Sequence, residues 1–84
     1  MPTPDIIERM RQLRSELAEA KPAAPEAAHV ATALDSVLVD PTQAPRYAGL
    51  GARLRSALTA LEGSHPQLAA SIGAVINALS AAGI

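Results

Sequence analysis

Residues 63–84 read GSHPQLAASIGAVINALSAAGI and contain no Asp, Glu, Lys or Arg. Two rows of side chains follow a helical repeat here, because residues three or four apart share one face of a helix. The first row is bulky and apolar, and the second is alanine. The rows are Leu68, Ile72, Val75, Ile76 and Leu79, and Ala70, Ala74, Ala78 and Ala82. A helix without ionic groups needs protein on both faces, so we predict contacts with its own chain and with a second copy.

Seven prolines punctuate the chain, and six of them lie at the edges of segments with helical periodicity. Proline fits the first turn of an α-helix and ends a helix elsewhere. The prolines therefore predict four helices, at about residues 4–20, 25–39, 46–62 and 65–82, in one domain spanning residues 1–84. Because short loops favour antiparallel neighbours, we expect an all-α helical bundle of two antiparallel αα-hairpins. The small core of an 84-residue chain favours a dimer.

The helix ends carry local signals of their own. Thr3 is a candidate cap for the first helix, and Pro4 fits its first position. Gly63 is a candidate stop for the third helix. Ser64 and Gln67 have the spacing of a capping box, which predicts that their side chains cap the fourth helix.

Apolar residues at helical spacing predict the core faces of the first three helices. Gly49 and Gly51 weaken the start of the third helix, since glycine costs about 1 kcal/mol relative to alanine. The expected core positions are Ile6, Met10, Leu13, Leu17 and Ala20 in the first helix, Ala27, Val30, Ala31, Leu34, Val37 and Leu38 in the second, and Tyr47, Leu50, Leu54, Leu58 and Leu61 in the third.

The two halves of the chain resemble each other at a shift of 41 residues. Either the halves are duplicated, or alanine-rich helices that begin with proline align by coincidence, and both alternatives give the same geometry. The shift aligns Pro4 with Pro45, residues 13–15 with 54–56, and Pro25 with Pro66.

Composition excludes several functional classes. The chain has no cysteine, so it cannot form a disulfide framework or a Cys-based metal site. A formal net charge of −1 gives no overall field to attract nucleic acid or an anionic membrane. The charged, periodic N-terminus lacks the apolar run of a secretory signal, so we expect a cytoplasmic protein.

The end of the third helix and the helix that follows carry a family resemblance. Residues 61–68 read LEGSHPQL, residues 76–79 read INAL, and the chain ends in Gly83 and Ile84. These residues resemble the closing signature of a bacterial family of small proteins, the domain of unknown function 4404 family. Its members open with a Leu-rich charged helix, here residues 13–17, and end in an aromatic-Glu-x-x-His-Pro-x-Leu run and a terminal Gly-Ile.

Two residues depart from this family pattern. Leu61 stands where an aromatic residue is common, and Asn77 stands where an acidic residue is common. The family has no established activity. The resemblance therefore implies a small helical protein of bacterial origin and carries over no catalytic residues.

The helix corner Ser64, His65 and Pro66 is the most noticeable polar motif. His65 could be a ligand or a proton-handling group, but a histidine beside a helix start also serves to close the corner, which we favour. His29 lies within the second helix, and without paired histidines we expect no metal site. No other cofactor is expected either.

The sequence offers little support for catalysis or for nucleic-acid binding. Asp35 and Ser36 could nominally form a triad with a histidine, yet neighbours on one helix point about 100° apart, so we expect no enzyme. Acidic residues interleave with the arginines of the first and third helices, and no base-stacking surface accompanies them, so we expect a solvated, salt-bridged face and no nucleic-acid partner. These arginines are Arg9, Arg11, Arg14, Arg46, Arg53 and Arg55.

The sequence therefore predicts a non-catalytic interaction or scaffold module. It self-associates as a homodimer through the alanine row of the fourth helix and presents the charged faces of the first and third helices to an unidentified protein partner. The alternative is a peripheral membrane or lipid-associated protein whose fourth helix binds an apolar surface. Membrane insertion is disfavoured, because polar residues interrupt the uncharged stretch and alanine contributes little to insertion.

Overall fold

The computed structural model describes residues 3–84, and within this range the chain forms helices and no strand. Met1 and Pro2, which the predicted domain includes, lie outside the described residues. The helices are α1 (Pro4–Ala20), α2 (Pro25–Val39), α3 (Leu50–Leu61) and α4 (Pro66–Ala81), and a 3₁₀ helix spans Ala44–Tyr47. The all-α prediction with four helices is confirmed.

The first helix begins and ends at local signals. The Thr3 hydroxyl oxygen accepts a hydrogen bond from the Ile6 N–H at 3.3 Å, and Pro4 occupies the first helical position, as the sequence predicts. At the other end Lys21 has a left-handed backbone with φ of 45°, and its N–H donates to the Leu17 carbonyl at 3.0 Å. This left-handed residue ends α1 although it is not a glycine.

The third helix begins at Leu50, so the prediction of a start at residue 46 is wrong. The preceding residues form the 3₁₀ helix, which the Ala48 N–H closes by donating to the Pro45 carbonyl at 3.2 Å. Gly49 then takes a φ of 78°, a left-handed conformation that interrupts an α-helix. The helical period continues across this break, so it predicted an earlier start, although Gly49 and Gly51 had indicated that the start of this helix is weak.

The last helix is one residue shorter at each end than predicted. His65 and Ala82 flank it as caps, and Gly83 follows with a left-handed φ of 77°. The Ile84 N–H donates to the Leu79 carbonyl at 2.9 Å, so the chain end folds back over the last turn. By contrast, Gly63 is not left-handed, and α3 ends at Leu61 in a turn that runs to residue 64.

The helices enclose one core. α1 packs on α2 and α4, and α3 also packs on α2 and α4, so each α-helix contacts two of the other α-helices. No polar or charged side chain is buried among the described residues. The buried residues are Ile6, Met10, Leu13, Leu17, Ala27, Val30, Leu34, Val37, Tyr47, Leu50, Leu54, Ala57, Leu61, Leu68, Ala69, Ile72, Val75 and Leu79.

The core differs from the sequence pattern at its margins. Ala20 was an expected core position but is exposed. Leu38, Leu58 and Ile76 are only half-buried, and so is Ala31. The pattern also missed Ala57 and Ala69, which are buried although their small side chains contribute little to a hydrophobic stripe.

The loop between α2 and the 3₁₀ helix is ordered by Asp40. Its carboxylate accepts hydrogen bonds from the Thr42 hydroxyl at 2.6 Å, the Thr42 N–H at 3.2 Å and the Gln43 side-chain amide at 3.2 Å. These bonds, led by the one from the Thr42 hydroxyl, hold the pKa of the Asp40 carboxyl below its ordinary value of 3.8. Helical periodicity does not predict this turn, although Asp and Thr two residues apart are typical of one.

Two hydrogen bonds between residues further apart in the chain join the same loop to the core and to α2. The Tyr47 hydroxyl donates to the Pro41 carbonyl at 2.8 Å while its ring is buried, and burial raises the pKa of the phenol. The Arg46 guanidinium donates to the Ser36 carbonyl at 2.9 Å. The single aromatic residue of the chain therefore fixes this loop to the core.

Candidate functional site

A groove opens between the last turn of α1 and the first turn of α4. We call it the α1–α4 groove, and its volume is about 540 Å³. This volume falls within the range of roughly 300–1,000 Å³ that is usual for ligand pockets. Residues that line the α1–α4 groove include Glu16, Glu19, Ala20, His65, Gln67 and Leu68.

The first turn of α4 forms one wall of the groove and is built differently from the prediction. The predicted capping box of Ser64 and Gln67 is wrong, because His65 is the cap residue and no side chain caps the helix. Pro66 is the first helical residue, and the residue before a proline avoids helical backbone angles, which places the cap at His65. Ser64 Oγ instead lies 3.0 Å from His65 Nδ1, within hydrogen-bond distance.

The backbone of His65 links α3 to α4. Its N–H donates to the Leu61 carbonyl at 2.8 Å, and its carbonyl accepts from the Ala69 N–H at 2.9 Å. The side chain is half-buried at the edge of the α1–α4 groove. This geometry lets His65 close the corner between the helices while its ring lines the groove.

A polar contact between α1 and α4 fixes the opposite wall of the groove. The Ser71 hydroxyl donates to the two Glu16 carboxylate oxygens at 2.7 and 3.2 Å. Both residues are half-buried, so the contact is partly shielded from water. The two residues are 55 positions apart, so no local sequence pattern predicts this pair.

The alanine row predicted as a self-association surface divides into two parts. Ala70 is exposed, and Ala74 is half-buried at a small cleft beside α1. Ala78 and Ala82 are half-buried and pack against the core of their own chain. Only the first half of the row therefore faces away from the core.

The other candidate site residues lie apart. His29 is exposed and lines a shallow cleft with Glu26 and Arg53. Asp35 Oδ1 accepts a hydrogen bond from Arg14 Nε at 2.8 Å, and neither histidine is its hydrogen-bond partner. Within residues 3–84 no group of three or more His, Cys, Asp or Glu side chains could hold a metal ion.

The charged face contains two ion pairs among the described residues. Arg9 binds Asp5 at 3.0 Å within α1, and Arg14 binds Asp35 at 2.8 Å between α1 and α2. Both pairs are partly exposed, so each contributes at most about 1 kcal/mol. No helix in residues 3–84 has the length and apolar character needed to span a membrane.

Comparison with known proteins confirms the family resemblance. A family model described as a domain of unknown function (DUF4404) matches residues 6–84. The chain belongs to the DUF4404 family. Searches of curated proteins and of solved structures gave no match. The structure therefore shows a DUF4404 chain as four α-helices around one core, and the family description names no activity.

Proposed function

We propose that this DUF4404 chain is a non-catalytic protein interaction module, formed by two antiparallel helical hairpins, that self-associates as a dimer through α4. The supporting observation is the solvent face of α4. It carries no charged side chain, and it exposes the small residues Ala70, Asn77 and Ala81. By contrast, α1 exposes several charged residues, as is usual for a helix that faces water.

Small side chains favour a helix as the partner of this face. Alanine allows two helix axes to approach toward the lower end of the usual range of about 8–10 Å. A two-fold dimer would place the same face of α4 on both sides of the contact. Because Ala78 and Ala82 already pack on their own core, Ala70 and Ala74 are the members of the alanine row that a second copy can contact.

Sedimentation equilibrium tests the dimer. Ala70→Glu and Ala74→Glu each place two like charges across the proposed two-fold contact, where repulsion and desolvation oppose association. We expect either substitution to weaken the dimer by at least about tenfold, since 1.4 kcal/mol corresponds to a factor of ten.

Ala28→Glu is the matched control. Ala28 is exposed on α2, and α2 does not contact α4. The same change of residue type at that position should leave the dimer intact. A wild-type chain that sediments as a monomer, or a dimer that survives both α4 substitutions, would contradict the proposed contact.

Liposome flotation separates this proposal from peripheral lipid binding through α4. A dimer that uses the face of α4 leaves no uncharged helix for the lipid surface, so we expect the protein to stay in the soluble fraction. If the wild-type protein floats with the liposomes and the Ala70→Glu variant does not, the same face of α4 binds lipid. That result would overturn the proposed dimer.

A further inference from the structure

The α1–α4 groove combines apolar and acidic lining residues. Ala20 and Pro66 are exposed apolar residues of its lining, and Leu68 lines it from the core. Glu16 and Glu19 project from consecutive turns of α1, three residues apart on one face. No Lys or Arg lines the groove. Its lining therefore offers apolar contact and unneutralised carboxylates together.

The position of Glu19 is unfavourable in the field of the helix dipole. The last turn of α1 contains no basic residue, and Glu19 lies in it, where the partial negative charge of a helix end disfavours an acidic side chain. The start of α4 faces the same groove and contributes about half a positive charge, which is small against two carboxylates. A local arrangement that lowers stability without compensation is typical of a functional site.

The Glu16 and Glu19 carboxylates differ in how firmly other groups of the protein hold them. Both oxygens of Glu16 lie within hydrogen-bond distance of Ser71 Oγ, which holds that side chain in place. Glu19 is exposed, and neither ion pair within residues 3–84 includes it. The groove therefore presents one fixed and one free acceptor for a cation.

We propose that the α1–α4 groove binds a lysine or arginine side chain from a segment of a partner protein. The aliphatic stem lies across Ala20 and Pro66, and the cationic head lies between Glu16 and Glu19. Long basic side chains suit such a site because their stems are apolar and their heads are charged. The volume of about 540 Å³ also leaves room for a neighbouring residue of the segment. This inference rests on the proposed interaction role but not on self-association through α4.

NMR titration with two blocked peptides tests the charge requirement. One peptide has the sequence Ala-Leu-Arg-Leu-Ala, and the other has citrulline, the neutral isostere of arginine, in the central position. We expect the arginine peptide to shift the amide signals of Glu19, His65 and Gln67 at low ionic strength. The citrulline peptide should leave them unchanged. Equal binding of both peptides, or no binding of either, would overturn the proposal.

A pair of substitutions locates the site. Glu19→Gln keeps the size of the side chain but removes its charge, and it should weaken the arginine peptide about two- to fivefold, as expected for an exposed ion pair. Glu62→Gln makes the same change at an exposed position that does not line the groove, and it should have no effect. If both substitutions weaken binding equally, the peptide responds only to overall charge, and the groove is not its site.

The two proposals fail separately. Glu19 is not on the proposed dimer face, so Glu19→Gln should leave the sedimentation of the protein unchanged. If the wild-type protein is monomeric but binds the arginine peptide in a Glu19-dependent way, the dimer fails and the groove stands. A dimer without peptide binding gives the opposite result.

Discussion

Asp40 shows how a single residue orders the connection between α2 and the 3₁₀ helix. Its carboxylate accepts three hydrogen bonds, two from Thr42 and one from Gln43, at the start of the loop before the 3₁₀ helix. Since these bonds favour the charged carboxylate, they lower its pKa from 3.8. Below pH 3.8 the unfolded chain binds the proton more readily, so the stability contributed by Asp40 is lost as pH falls through the lowered pKa.

Thr42→Val should move this titration. The substitution removes the hydroxyl that lowers the Asp40 pKa most and retains the shape of the side chain. We expect the Asp40 pKa to rise toward 3.8 in an NMR titration of its carboxyl carbon. The variant should accordingly lose less stability than the wild-type protein as the pH falls below 3.8, because its folded and unfolded pKa values differ less.

Thr59→Val provides the control for this titration. The Thr59 hydroxyl donates to the Arg55 carbonyl within α3 and makes no bond to Asp40. The Asp40 pKa should therefore be unchanged in this variant. If Thr42→Val leaves it unchanged as well, the hydroxyl contact does not determine the titration.

At the scale of the element, helix starts show which local signals were sufficient. Thr3 and Pro4 start α1 as predicted, because the cap and the proline require the same boundary. At α4 they conflict: a cap at Ser64 would make His65 helical, which the following Pro66 disfavours. The backbone restriction decides the boundary, and His65 becomes the cap.

Substitution by alanine should have opposite effects on stability at two glycines. Gly49 has a φ of 78° at the start of α3, so Gly49→Ala forces a left-handed backbone on a residue with a Cβ and should destabilise the fold by about 1 kcal/mol. Gly73 lies inside α4, and nothing lies within 4 Å of an added Cβ. Gly73→Ala should therefore stabilise the fold by about 0.5–1 kcal/mol.

Urea denaturation of the two variants measures both effects at once. The midpoint should fall for Gly49→Ala and rise for Gly73→Ala, with similar slopes if unfolding stays two-state. Stabilisation by Gly49→Ala would show that the break between the 3₁₀ helix and α3 does not need a left-handed residue.

For the whole molecule, the composition of the core links stability to assembly. The core contains one aromatic residue, Tyr47, and three alanines, Ala27, Ala57 and Ala69, so it removes less apolar surface from water than a core with larger side chains at those alanine positions. A second copy on α4 would bury more surface. If the chain is a dimer, dissociation accompanies unfolding, and stability depends on protein concentration.

Thermal unfolding at two concentrations measures this dependence. We expect the midpoint of the wild-type protein to rise by several degrees when its concentration increases about a hundredfold. The midpoint of Ala70→Glu should stay nearly constant over the same range. A wild-type midpoint that does not depend on concentration would indicate that the chain unfolds as a monomer.

The amino-acid sequence by itself determined the helical class, the four helices and most of the core. Proline restricts the backbone locally, and apolar side chains such as Leu13, Leu34 and Ile72 recur with the period of the helix, so neither signal requires distant contacts. The family resemblance likewise depended on consecutive residues, and the match over residues 6–84 confirmed it.

Only the tertiary structure decided which surfaces meet. It placed Glu16 next to Ser71, Arg14 next to Asp35, and the end of α1 next to the start of α4. It also packed half of the alanine row, Ala78 and Ala82, against the core of the same chain. These contacts join residues far apart in the chain, and their formation depends on how the helices pack and rotate. Helical periodicity specifies the face of each helix but not the partner that covers it.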